Sequence, residues 1–269
     1  MESLQGKIAI VTGAGTGIGQ SSARLLAARG ARVVLVGRRQ AVLDKAVDEI
    51  RRQDGQAWAY AAHIENKTEV AALVAWIKRE LGAVDILVNN AGSASKTLNA
   101  RWIPEEEWEQ VQNVNLKAVF LLTQAVLPDM LARNGGSIIT ISSLAALRPN
   151  LLGGAAYGAA KAGVRNFMTY LHNTFRNNGI RATCILPGEV NTPIMDSRAD
   201  PPSQKIRDGM VQPEDVAEAV LLCAALPPRT VIEELIVAPT YQRDISGDLE
   251  VSRWKNAPHE CRDEREKRF

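Results

Sequence analysis

The chain has 269 residues, 46% of them hydrophobic, which suits one large α/β domain with a sizeable core. Its 32 basic and 30 acidic residues leave a net charge of +2, so no electrostatic argument points to a nucleic acid or an anionic membrane as partner. No apolar run approaches the roughly 20 residues of a transmembrane helix, and Met-Glu-Ser-Leu-Gln-Gly-Lys at the start lacks the apolar stretch of a signal peptide, so a cytoplasmic setting is expected.

Taken in chain order, short apolar runs alternate with longer helical patterns. Residues 7–12, 32–36, 57–61, 85–89, 137–141, 181–186 and 234–237 read as strands. Amphipathic segments lie near 18–29, 40–53, 67–81, 105–133, 156–178 and 213–225. Strands such as Ile8-Ala9-Ile10-Val11 are apolar without alternation, the pattern of a parallel sheet buried on both faces. Repeated strand–helix alternation implies right-handed crossovers. The expected fold is therefore a single-domain α/β Rossmann-type doubly wound parallel sheet of about seven strands, with helices on both faces. With no internal linker or repeat, residues 1–241 read as one domain, leaving a tail, 242–269. That tail carries seven basic and seven acidic residues in 28 and few apolar ones. It should add little to the core, and be mobile or lie against a neighbouring subunit. Cys184, Cys223 and Cys261 are odd in number and far apart, so they read as reduced thiols. No His/Cys/Asp cluster has metal-ligand spacing. Asn66-Lys67-Thr68 is a glycosylation sequon with no secretory route to serve.

The first strand runs into Thr12-Gly13-Ala14-Gly15-Thr16-Gly17-Ile18-Gly19. Glycines there allow a tight turn and let a pyrophosphate approach the N–H groups that open the first helix. The second strand ends in Gly37-Arg38-Arg39, with no acid to hold the ribose hydroxyls of NAD. Arginines at this point meet the 2′-phosphate of NADP, or else are solvated helix-entry charges. Further on, Tyr157 and Lys161 stand four residues apart in Ala-Ala-Tyr-Gly-Ala-Ala-Lys-Ala-Gly, on one face of a helix. A free tyrosine has a pKa of about 10; a lysine one turn away favours the phenolate and lowers it.

Six motifs in this order make the chain resemble the short-chain dehydrogenase/reductase family over roughly residues 4–240. Gly13, Thr16, Gly17, Ile18 and Gly19 fall in the family's cofactor loop. Asn90, Ala91 and Gly92 close its Asn-Asn-Ala-Gly motif, and Asn115 matches its catalytic asparagine. Ser143 matches its catalytic serine, and Tyr157 and Lys161 its Tyr-x-x-x-Lys. Pro187-Gly188, with Val190 and Thr192, matches the turn that contacts the nicotinamide. The resemblance implies that Tyr157 exchanges a proton with the substrate oxygen and that Lys161 lowers its pKa and holds the nicotinamide ribose. It implies that Ser143 positions the substrate oxygen, and that Asn115 holds a water linking Lys161 to solvent. It also implies NADP(H) as preferred cofactor, with NAD(H) possible. The partners implied are a small carbonyl or alcohol substrate and a second copy of the chain, as homodimer or homotetramer through the helices near 113–133 and 156–178.

The sequence departs from the family's pattern in places. His63-Ile64 stands where Asp-Val is usual beside the adenine; the histidine either offers a ring nitrogen to the adenine amine or is a strand-end side chain. The last strand lacks the usual Asp-Gly-Gly ending, and with it the usual C-terminal subunit contacts. Around the substrate, residues 189–212 should form a short, charged lid with Asp196, Arg198, Asp200, Lys205, Arg207 and Asp208, leaning toward a small or moderately polar substrate. Trp102, Trp108 and His172 read as packing residues. The competing class is a dinucleotide-binding regulator of the same fold without catalysis.

Overall fold

Because its strands are apolar on both sides, the sheet must be covered on both faces, and the chain is wound accordingly. The computed structural model of the chain describes residues 2–198 and 201–261. Asp200 and the charged residues from 262 to 269 lie outside the described residues.

The elements run β1 (Ile8–Thr12), α1 (Gly17–Ala28), β2 (Arg32–Gly37), α2 (Gln40–Arg51), β3 (Gln56–Ala61), α3 (Lys67–Glu80), β4 (Ile86–Asn89), α4 (Glu105–Gln112) and α5 (Ala118–Ala132). They continue with β5 (Gly136–Ile141), α6 (Ala155–Phe175), β6 (Ile180–Pro187), α7 (Gln204–Asp208), α8 (Pro213–Ala224), β7 (Glu234–Val237) and α9 (Ser246–Trp254). All strand pairs are parallel, in the order β3-β2-β1-β4-β5-β6-β7. All seven expected strands are present, within two residues at either end. Alternate residues of one strand feed opposite layers: Ala9 and Val11 pack with Leu26, Leu43 and Val220 of α1, α2 and α8. Ile8 and Ile10 pack with Leu73, Leu122 and Met168 of α3, α5 and α6. The winding reverses between β1 and β4, and at that switch point the loops of the C-terminal sheet edge diverge to leave a crevice.

The helix expected over 105–133 is interrupted. Residues Asn113–Lys117 form one π-helical turn between α4 and α5, a local widening that helices commonly carry at functional sites. The combined run Glu105–Ala132 is long and apolar enough to cross a membrane by length and composition, which corrects the expectation that no segment would be. Here its apolar residues Leu122, Val126 and Met130 enter the core beneath the sheet. Asn66, in the sequon, caps α3 by accepting from Thr68 N and Glu69 N.

The tail is the main correction. Its described part folds back on its own chain. α9 buries Ser252, and Trp254 stacks on Trp102 with ring centroids 6.1 Å apart. Asn99 Nδ2 donates to Arg253 O, and Asn256 Nδ2 donates to Lys96 O and Thr97 Oγ1. The same loop is held from the other side by Glu107, whose Oε1 accepts Lys96 N and Thr97 N at 2.6 and 2.7 Å. A charged segment with few apolar residues is thus docked by an aromatic contact, amide side chains and the pairing of Arg243 with Glu189 rather than by an apolar face.

Candidate active site

The site is assembled from loops at the C-terminal edge of the sheet. The turn after β1 is tied to the turn after β4 by two side chains. Thr12 Oγ1 accepts Asn90 N and Ala91 N, both at 3.0 Å, and donates to Val88 O. Asn90 Nδ2 donates back to Thr12 O at 2.9 Å and Gly13 O at 3.3 Å. Gly13 and Gly17 have φ of +63° and +55°, a region that L side chains rarely enter. A Cβ on Gly19 would lie 2.4 Å from Gly13 O and 2.5 Å from Asn90 Nδ2. That close approach of helix to turn leaves the backbone at the start of α1 bare.

Two cavities meet here. The first, of about 380 Å³, is lined by Gly13, Thr16, Gly17, Ile18, Arg38, Arg39, Ile64, Asn90, Ala91, Gly92, Ser143, Tyr157, Lys161, Pro187, Gly188, Val190 and Thr192. The second, of about 320 Å³, shares Ser143, Tyr157, Pro187, Gly188, Ile194 and Met195 with it and extends toward the lid and the tail. Arg38 and Arg39 are exposed at the end of β2, and neither makes an ion pair among the described residues. Three expected residues are not in the lining. Gly19 stands behind the turn. His63 turns its Nδ1 to Glu65 Oε1 at 3.4 Å, and Glu65, which the sequence reading passed over, takes a place in the lining instead. Asn115 is fully buried at the π-helical turn; its Nδ2 donates to Ser93 O and Val111 O, both at 2.9 Å, and its Oδ1 accepts Ser93 N. A Cβ on Gly92 would lie 2.8 Å from Asn115 Oδ1 and 3.6 Å from Lys161 Nζ, so the glycine keeps open the gap between these two side chains.

Tyr157 is placed by the start of α6. Gly154, at φ +77°, turns the chain into the helix against Leu98. Ala155 N donates to Leu98 O, and Gln112 Nε2 donates to Ala156 O. Lys161 is held by the end of β5: its Nζ donates to Ile141 O at 2.9 Å, while Ser142 Oγ donates to Lys161 O. Its Nζ lies 5.5 Å from the centre of the Tyr157 ring. Burial pushes the Tyr157 phenol above its usual value; the hydrogen bond with Ser143 and the charge of Arg198 act the other way without overcoming it. Lys161 Nζ thus donates to the end of β5 while standing beside the Tyr157 ring. Burial brings Lys161 itself down to about 8.

Of the expected lid charges among the described residues, Arg198 alone reaches the second cavity. Arg207 and Asp196 pair with each other, and Val190 bridges Val211 to close the lid at its base. The charges of the lid therefore serve mainly to hold it together. Trp102 packs against Trp254 as expected, and His172 is buried on α6 with Nε2 3.3 Å from Glu233.

This arrangement has relatives. Residues 7–202 match the model of the short chain dehydrogenase family. The chain belongs to the short-chain dehydrogenase/reductase family. It is 33% identical over 227 residues to the 3-oxoacyl-[acyl-carrier-protein] reductase FabG of Thermotoga maritima, covering 82% of this chain and 92% of that protein. It superposes on a metagenomic short-chain oxidoreductase solved in complex with NADP, with a TM-score of 0.78 and 34% identity over 89% of this chain and all of the other. It also superposes on the closed form of a serine dehydrogenase complexed with NADP+, with a TM-score of 0.80 and 34% identity over 88% and 96% of the two chains. Membership makes this an oxidoreductase fold with a nicotinamide dinucleotide as cofactor.

A lysine lowered from 10.5 to about 8 binds fewer protons in the folded than in the unfolded protein between those values. Its contribution to stability therefore rises as pH rises through that window. Wild type should gain up to about 3 kcal/mol on Lys161→Met between pH 8 and 10.5, seen as a Tm difference that shifts by several degrees in scanning calorimetry. A constant difference would show that Lys161 is not held deprotonation-prone by burial.

Proposed function

We propose that this chain is an NADP(H)-dependent oxidoreductase that interconverts a ketone or aldehyde and an alcohol, with Tyr157 as the general acid and base. One observation carries the reading: Ser143 and Tyr157 stand on the wall shared by a glycine-framed cavity and a second cavity open to the lid. A group that touches both spaces can act on a substrate in one while a cofactor occupies the other.

The residues of the first cavity fit the dinucleotide. The bare start of α1 suits a pyrophosphate, and Arg38 and Arg39 suit a 2′-phosphate because no acid claims them. When bound, NADP(H) supplies or accepts the hydride. The protein's own work is proton transfer and orientation. In reduction the carbonyl π bond becomes a C–H and an O–H bond, and Tyr157 donates the proton to oxygen; in oxidation it takes the proton back. A phenol kept protonated by burial is ready for the reductive direction. Ser143 donates to the same oxygen as charge develops there. Lys161, brought down to about 8 by burial, replenishes Tyr157, and Asn115 beside it on the far side of Gly92 anchors the water of that relay.

The setting proposed is the cytoplasm, where Cys184, Cys223 and Cys261 stay free thiols as they are here. The assembly proposed is a homodimer or homotetramer, supported by Phe120 and Tyr170, exposed on α5 and α6 beside Phe167. A monomer at micromolar concentration in light scattering would contradict it.

Tyr157→Phe should lower kcat by about 10²–10⁴ and leave NADPH binding nearly intact by fluorescence titration; undiminished turnover removes Tyr157 from the mechanism. If wild type binds NADPH yet turns over no carbonyl or alcohol, the regulator reading wins. Replacing Arg38 and Arg39 by alanine should weaken NADPH by roughly 10–100-fold and NADH far less. An equal effect on both cofactors would mean that the arginines do not read the 2′-phosphate.

A further inference from the structure

The second cavity has a charge pattern that the reaction itself does not need. Among the described residues its lining carries four cations, Arg148, Arg198, Arg243 and Lys255, against one acid, Glu189. Other acids act on this set from outside the lining: Asp248 pairs with Arg243, and Glu107 acts on Lys255.

Glu189 is already committed. Its Oε2 accepts Arg243 Nε and its Oε1 accepts Arg243 Nη2, both at 2.9 Å, and Oε1 also accepts Arg198 Nη1 at 2.5 Å. Burial raises its pKa, but the two arginines outweigh burial and hold the carboxyl below its usual range. A substrate ammonium entering the cavity would therefore meet a carboxylate that already accepts three hydrogen bonds from two guanidinium groups. Arg198 is in the opposite condition. Only Nη1 of its five N–H donors is used among the described residues, its side chain is 18% exposed, and its charge reaches Tyr157. Arg148 stands on the same lining, exposed and without an ion pair among the described residues. A partly desolvated guanidinium with open donors favours an oxyanion and is left unsatisfied by an uncharged group.

We propose that the substrate carries a carboxylate in addition to its carbonyl or hydroxyl, and that Arg198, assisted by Arg148, binds that carboxylate in the second cavity. The proposal rests on the oxidoreductase reading above and narrows its substrate class. Arg198 is a specificity-determining residue, and the tail is part of the device. By supplying Arg243, the tail neutralises Glu189, which would otherwise repel the substrate's charge.

The test compares matched probes. Acetoacetate and levulinate are set against their methyl esters as substrates for NADPH oxidation, and kcat/KM is measured for each. The acid should exceed its ester by at least about tenfold, through KM more than kcat, with the advantage shrinking as ionic strength rises. Arg198→Met should bring the ratio close to one and Arg198→Lys should restore part of it. Arg148→Ala, which breaks no ion pair, should lower it to an intermediate value and guards against misfolding of the Arg198 variants. Equal use of acid and ester by wild type, preference for the ester, or a ratio unchanged in both Arg198→Met and Arg148→Ala overturns the proposal. If no probe of either kind is reduced, the oxidoreductase reading falls only when every other carbonyl and alcohol is inert as well. Calorimetric titration of the NADP-loaded protein with the same acids and esters then still decides the carboxylate site: selective acid binding lost in Arg198→Met upholds it, and absence of such binding overturns it.

Discussion

The clasp between Thr12 and Asn90 is the contact on which the rest of the site depends. An all-parallel sheet delivers the ends of β1, β4, β5 and β6 to one edge, but loops leaving a switch point diverge. Thr12 Oγ1 and the Asn90 amide, through five hydrogen bonds, hold the two loops on either side of that divergence in fixed register. Backbone groups that would be costly to bury unpaired are satisfied by side chains instead. The glycine turn can then stay open on its outer side, and Gly92 can pass between Asn115 and Lys161.

Electrostatics divides the two cavities. In the first, isolated guanidinium groups at the rim face a space walled by glycine and apolar residues, an arrangement that suits a phosphate-bearing ligand. At the shared wall, burial dominates: it raises Tyr157 and lowers Lys161, shifting both groups toward their neutral forms. In the second, ion pairs between lid and tail organise the charges, and Arg198 links that network to the phenol. On the Tyr157 phenol, burial and the charge of Arg198 act in opposite directions, and burial prevails.

The strands, the two-faced core and the order of the site motifs were legible in the sequence because they depend on local pattern: unbroken apolar runs, glycines at strand ends, a four-residue spacing on one helix face. What was not legible depends on contacts between distant segments. The π-helical turn at Asn113–Lys117 has no periodicity of its own. Burial of Asn115 against Ser93 is settled by the loop after β4. The hydrogen bond from Lys161 to Ile141 O, which fixes where its Nζ sits, joins residues 20 apart. Docking of α9 rests on Trp102 with Trp254 and Asn99 with Arg253, pairs more than 150 residues apart, in a segment whose composition reads as solvated. The contact of His63 Nδ1 with Glu65, two residues on, likewise has no signature in the motif itself.

The central claim is that a substrate carbonyl, held at Ser143 and Tyr157, receives a hydride from a nicotinamide lodged in the glycine-framed cavity. Its most direct test is isotopic: reduction of a ketone with NADPH deuterated at both C4 positions, followed by NMR of the alcohol. The account predicts one deuterium on the carbinol carbon and a solvent-derived proton on oxygen. An alcohol without deuterium, or cofactor oxidation with no alcohol formed, would contradict it.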